Sequence, residues 1–98
     1  MDLGLQNKTA FVAASSEGLG LSVALSLASE GAQVIICGRN QDRLDEAKRS
    51  IDRLGLKKCT AFICDLSNQT SLESTCELIL KEFKKIDILI TNTGGPPS

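Results

Sequence analysis

The 98-residue sequence contains no histidine, and its four cysteines, Cys37, Cys59, Cys64 and Cys76, include no C-x-x-C pair. Lacking imidazole and thiols at ligand spacing, it excludes the common zinc sites. Its apolar runs are strong enough that no disulfide scaffold is needed, so the cysteines read as buried free thiols. Cys59 and Cys64 fall on one predicted strand an odd number of residues apart, on opposite faces, which argues against a pair. No apolar run approaches the ~20 residues of a membrane-spanning helix. Met1-Asp2-Leu3-Gly4 lacks the basic stretch and long apolar region of a secretory or transit segment, which points to the cytosol. Charge of one sign is not in excess either. Eleven Lys and Arg stand against twelve Asp and Glu, spread along the chain, so neither nucleic acid nor a membrane is expected as partner. What is present is a 42% hydrophobic composition without repeats or low-complexity tracts, which predicts one soluble domain with a single core.

Short apolar runs alternate with longer stretches of helical spacing, the pattern of a parallel sheet joined by crossover helices. Thr9 to Ala14 is the first strand; a glycine turn follows, then a helix with Leu21, Ala24, Leu25 and Ala28 on one face and Val23 and Leu27 on a second, ending at Gly31. Val34-Ile35-Ile36-Cys37 reads as a strand covered on both faces. Asn40 caps a helix with Leu44, Ala47, Ile51 and Leu54 in one apolar stripe; Asp45, Lys48, Arg49 and Asp52 stay in water, and Gly55 stops it. Ala61 to Cys64 gives a third strand. The Thr70-Ser71-Leu72-Glu73 box opens a helix with Leu72, Cys76, Ile79 and Phe83 inward, and Ile86 to Thr91 forms a fourth strand.

Three strand-helix-strand units with right-handed crossovers predict an α/β fold, half of a doubly wound, three-layer Rossmann-type sheet in the order 3-2-1-4. The order reverses between strands one and four. Ligands of such sheets bind beyond the carboxyl ends of the strands at that reversal, where the connecting segments are Ala14 to Gly20, Gly38 to Asn40, Asp65 to Ser67 and Asn92 to Gly95. Glycines at a strand-to-helix turn let backbone approach a pyrophosphate, and the helix amino terminus adds free N–H groups and partial positive charge. The G-x-G-x-x-G fingerprint is absent, because Val23 stands where its third glycine would be.

Ala13-Ala14-Ser15-Ser16-Glu17-Gly18-Leu19-Gly20 instead resembles the T-G-x-x-x-G-x-G turn of the short-chain dehydrogenase/reductase family, with Ala13-Ala14 in place of Thr-Gly. Asp65-Leu66 after the third strand and Asn92-Thr93-Gly94 after the fourth resemble two further signatures of that family. Thr91-Asn92-Thr93-Gly94-Gly95-Pro96-Pro97, together with the glycine turn, is similar to a subgroup of 3-oxoacyl carrier-protein reductases. The resemblance runs from about Leu5 to the end. It implies that Ala14, Ser15, Ser16, Gly18, Leu19 and Gly20 cradle a dinucleotide's diphosphate. The Asp65 carboxylate would accept the adenine amino group while the Leu66 backbone meets the ring. Asn92 would brace the sheet, and the backbone of Thr93 and Gly94 would lie by the ribose. The plain structural alternatives are a packing turn at Gly18 and Gly20, helix capping by Ser15 and Ser16, and a turn residue at Asp65.

Cofactor choice turns on the end of the second strand, where an Asp or Glu would bond the 2′-hydroxyl of NAD. Gly38 and Arg39 occupy that place. A guanidinium there can hold a 2′-phosphate through two charge-assisted hydrogen bonds, which favours NADP(H); Glu17, where NADP-preferring relatives often carry a basic residue, keeps NAD(H) open. Arg39 as a solvated surface residue is the alternative.

In the family a tyrosine, a lysine four residues later and a serine move the proton and orient the carbonyl. This sequence contains no tyrosine, so none of its residues is assigned a catalytic role. The apolar Ile86 to Ile90 would also be an aggregation-prone edge if unpaired. Both features lead us to expect the amino-terminal, dinucleotide-binding part of a larger NADP(H)-dependent oxidoreductase acting on a small carbonyl or alcohol, inactive by itself and, through likeness to the family, homo-oligomeric when whole. The competing readings are a non-catalytic dinucleotide-binding or redox-sensing module on the same fold and a structural fragment without ligand.

Overall fold

The computed structural model describes residues 4–13, 18–55, 57–65 and 67–90; for Gly18 and Leu19 it describes the helical backbone alone. Seven elements follow one another: β1 (Thr9–Ala13), α1 (Gly18–Ser29), β2 (Gln33–Gly38), α2 (Gln41–Leu54), β3 (Thr60–Ile63), α3 (Gln69–Phe83) and β4 (Ile88–Ile90). The sheet is parallel throughout, in the order β3-β2-β1-β4. This is the predicted order, and β1 is central. Among the described residues no helix is long and apolar enough to cross a membrane.

Alternating side chains divide the core in two. Val12, Val34 and Ile36 meet Ala24 and Ala28 of α1 and Leu44, Ala47 and Ile51 of α2 on one face. Phe11, Ile35, Cys37 and Ile79 meet on the other, with Leu72, Cys76 and Phe83 of α3 packed against them. A strand covered on both faces can be apolar at every position. All five residues of β1 are accordingly buried.

Element ends depart from the sequence expectations in instructive ways. Helix α3 begins at Gln69, ahead of the Thr70-to-Glu73 box, because the Asn68 side chain accepts the Ser71 N–H at 3.0 Å and is the cap. Leu54, the last residue of α2, does not join the buried stripe of Leu44, Ala47 and Ile51 and is 55% exposed. Asp52, expected in water, is half-buried and accepts the Cys59 N–H at 2.7 Å. Gly55 does stop α2, yet in an extended conformation (φ −81). Its lack of a side chain serves close approach: a Cβ there would lie 3.3 Å from that of Ala28 and 3.1 Å from the Ile51 and Lys57 carbonyl oxygens.

Strand β3 ends one residue before Cys64, although the Cys64 N–H still donates to the Gly38 carbonyl at 2.9 Å. Cys59 and Cys64 flank the strand and enter opposite cores, as their spacing required. All four thiols are free; Cys37, Cys59 and Cys64 are buried and Cys76 is half-buried. Burial foremost, then the negative charge of Asp52, pushes the Cys59 thiol up to about 12.

Described pairing of β4 is limited to Ile88–Ile90, shorter than Ile86 to Thr91; Thr91 lies outside the described residues. Asp87 takes over where pairing would begin. Its N–H donates to the Thr9 carbonyl and its Oδ2 accepts the Thr9 N–H, both at 2.8 Å. The Thr9 N–H foremost, then Lys85 at 3.2 Å, holds the Asp87 carboxyl below the usual carboxylate range against slight desolvation. A carboxyl depressed in the native state contributes stability that is fully present above the unfolded value of about 4 and is lost as pH falls through the native value. Asp87→Asn should therefore flatten the fall in stability below about pH 4, as read by urea midpoints at stepped pH. An unchanged slope would show that the carboxylate is not coupled to folding.

Candidate functional site

Parallel register brings the carboxyl ends of the strands to one edge. Ala13 lies beside Cys37, Gly38 beside Ile63, and Ile90 beside Val12. The segments leaving β2 and β3 are thus neighbours, and α1 and α2 start from the same edge. Arg39 follows β2 directly and is exposed. Asn40 then turns the chain into α2, its side chain accepting the Arg43 N–H at 3.0 Å. Arg39 therefore stands between the end of a buried strand and a capped helix.

Across the strand pair lies Asp65. Oδ1 of its carboxylate accepts the Ser67 hydroxyl at 2.6 Å and the Ser67 N–H at 3.0 Å, an Asx turn. The backbone of Asp65 is also held: its carbonyl accepts the Asn68 N–H at 3.0 Å, and its N–H donates to the Ser71 hydroxyl at 3.2 Å. The Ser67 hydroxyl foremost, then the Ser67 N–H, with Arg39 adding a weaker pull, keeps the Asp65 carboxyl below the usual carboxylate range despite some desolvation. Asp65 is ionised at neutral pH and feels the charge of Arg39. Its Oδ2 takes no hydrogen bond among the described residues.

Of the residues singled out in the sequence, the structure brings Arg39 and Asp65 together on this rim. Gly18 and Leu19 lie in the first turn of α1, and Gly20 is buried there. Ala14, Ser15, Ser16, Leu66, Asn92, Thr93 and Gly94 lie outside the described residues. Ser71, read from the sequence only as part of a helix-opening box, is the residue the site adds. An Asp-x-Ser turn was legible at Asp65 and Ser67; nothing local showed that Ser71 returns to the Asp65 N–H.

The family model for short chain dehydrogenases matches residues 8–98, and the chain belongs to that family. Gluconate 5-dehydrogenase of Gluconobacter oxydans is 38% identical over 90 residues, 92% of this chain and 35% of that protein. L-Sorbose reductase from Gluconobacter frateurii, solved with NADPH and L-sorbose, superposes with a TM-score of 0.89 at 33% identity, covering 100% of this chain and 37% of that one. An NAD+-bound xylitol dehydrogenase gives 0.86 at 27% identity, covering 93% and 35%. The chain spans about a third of the length of the curated relatives it matches. Their named substrates differ, so the matches fix the family; the finer likeness to 3-oxoacyl carrier-protein reductases finds no support in them.

Proposed function

We propose that this chain is the dinucleotide-binding part of an NADP(H)-dependent oxidoreductase that moves a hydride between the nicotinamide and the carbon of a small carbonyl or alcohol substrate. The observation that carries the reading is the nearness of an exposed arginine, Arg39, to an ionised carboxylate, Asp65, at adjoining strand ends on the rim where such sheets bind ligands. The two groups suit opposite ends of one adenosine phosphate. Arg39 would hold a 2′-phosphate through charge-assisted bonds, and Asp65 Oδ2, which takes no hydrogen bond among the described residues, would accept the adenine amino group beside the Leu66 backbone. Ala14, Ser15, Ser16, Gly18, Leu19 and Gly20 would cradle the diphosphate at the amino terminus of α1. Asn92, Thr93 and Gly94 would complete the site, the first as a brace and the others through their backbone.

When bound, the dinucleotide supplies or takes up the hydride; the residues here bind and orient it. None of these 98 residues, which contain no tyrosine, is assigned the proton donor or acceptor, and the chain by itself is read as inactive. NADPH bound to L-sorbose reductase supports NADP(H), whereas the NAD+-bound xylitol dehydrogenase leaves NAD(H) as the alternative cofactor. Assembly into a homo-oligomer and a cytosolic location belong to the same reading. Fluorescence titration of the full-length protein should give a Kd for NADPH at least about tenfold below that for NADH. Equal affinities would remove the case for NADP(H), and no binding of either would remove the function.

A further inference from the structure

We infer that Ser71 is a positioning residue for adenine recognition, fixing Asp65 from the first turn of α3. The inference rests on the reading of Asp65 given above and extends it to a residue outside the binding loop. Ser71 faces back toward the end of β3. Its hydroxyl oxygen accepts the Asp65 N–H at 3.2 Å and lies 3.7 Å from Cys64 Sγ, toward which it donates. Its own N–H is bound to the Asn68 cap, and its carbonyl accepts the Thr75 hydroxyl at 2.9 Å. The serine is thereby seated in the helix while its hydroxyl reaches the two residues at which the chain leaves the sheet.

Two attachments act on Asp65 from opposite directions. Ser67 ties down Oδ1 and fixes the rotation of the carboxylate; Ser71 ties down the N–H and fixes the backbone from which it projects. Oδ2 is then held in one orientation. A hydrogen bond to a preset acceptor loses less to ordering than one to a mobile carboxylate. Cys64 sets the depth of the contact. It is buried against the α3 face of the sheet, and it bonds to the Gly38 carbonyl directly before Arg39. Ser71 thus links α3 to both sides of the rim.

The test compares NADPH with its deamino analogue, in which the adenine amino group is replaced by oxygen. The full-length protein should bind NADPH about tenfold more tightly than the analogue, the usual effect of one hydrogen bond to a charged acceptor. Asp65→Ala should abolish the discrimination. Ser71→Ala should reduce it to about twofold, Ser71→Cys should reduce it in the same direction, and Ser71→Thr, which keeps the hydroxyl, should retain it. Ile79→Val loosens the packing of the same helix far from the loop and serves as the structural control, with discrimination expected to persist. Retained discrimination in Asp65→Ala, or its absence in the unsubstituted protein, overturns the reading of Asp65 itself. Loss in Asp65→Ala with full discrimination in Ser71→Ala and Ser71→Cys overturns the role of Ser71 alone, as does an equal loss in Ile79→Val.

Discussion

Arg39→Asp should reverse the cofactor preference, weakening NADPH by roughly a hundredfold while leaving NADH unchanged or slightly improved. On the proposed reading, the substitution would remove two charge-assisted hydrogen bonds to the 2′-phosphate and set a carboxylate where that dianion would sit. It also supplies the acceptor that a ribose 2′-hydroxyl requires. Because Asp65 is ionised nearby, the new carboxylate would enlarge the negative field on this part of the rim. The guanidinium is exposed, so the effect should shrink as salt rises from 0.05 to about 0.5 M. Titration of both dinucleotides against the substituted protein decides the matter: an unchanged NADPH-to-NADH ratio would mean that Arg39 does not meet the phosphate.

Phe11→Ala is expected to cost about 3–5 kcal/mol of folding stability, the largest effect of any single truncation considered. Phe11 is fully buried in the central strand, flanked by β2 and β4, and packs with Ile35, Cys37 and Ile79. Its neighbours are held by strand pairing and cannot collapse far into the space left behind. Leu54→Ala offers the contrast. That leucine is 55% exposed, and its truncation should cost under about 1 kcal/mol. Urea unfolding of both variants measures the difference; similar midpoints would mean that the face between β1 and α3 is not a tightly packed core.

Legibility in the sequence followed the range of the interactions. Asn40 and Arg43 are neighbours in the chain, so the cap of α2 could be read directly. At the start of α3 two local signals compete; Asn68 comes before the Thr70-to-Glu73 box and its side chain caps the Ser71 N–H. Leu54 keeps the helical period yet is exposed, since periodicity says which side of a helix a residue occupies but not whether anything covers that side at the helix end. At the site, Arg39 could be named from its place after a strand and Asp65 from the family pattern. The service of Ser71 to Asp65 depends on how α3 returns to the sheet, which no spacing rule encodes.

Patterning by itself determined the element types, their alternation and the parallel order, because a two-residue period, a helical period and right-handed crossovers leave few arrangements. It also determined which residue types stand at the strand ends. Tertiary structure alone decided the register that sets Gly38 beside Ile63, so that the charge of Arg39 acts on Asp65, and that Asp87 clamps the entrance of β4 to Thr9. These are contacts between segments distant in the chain, set by register and packing, and local propensity carries no information about either.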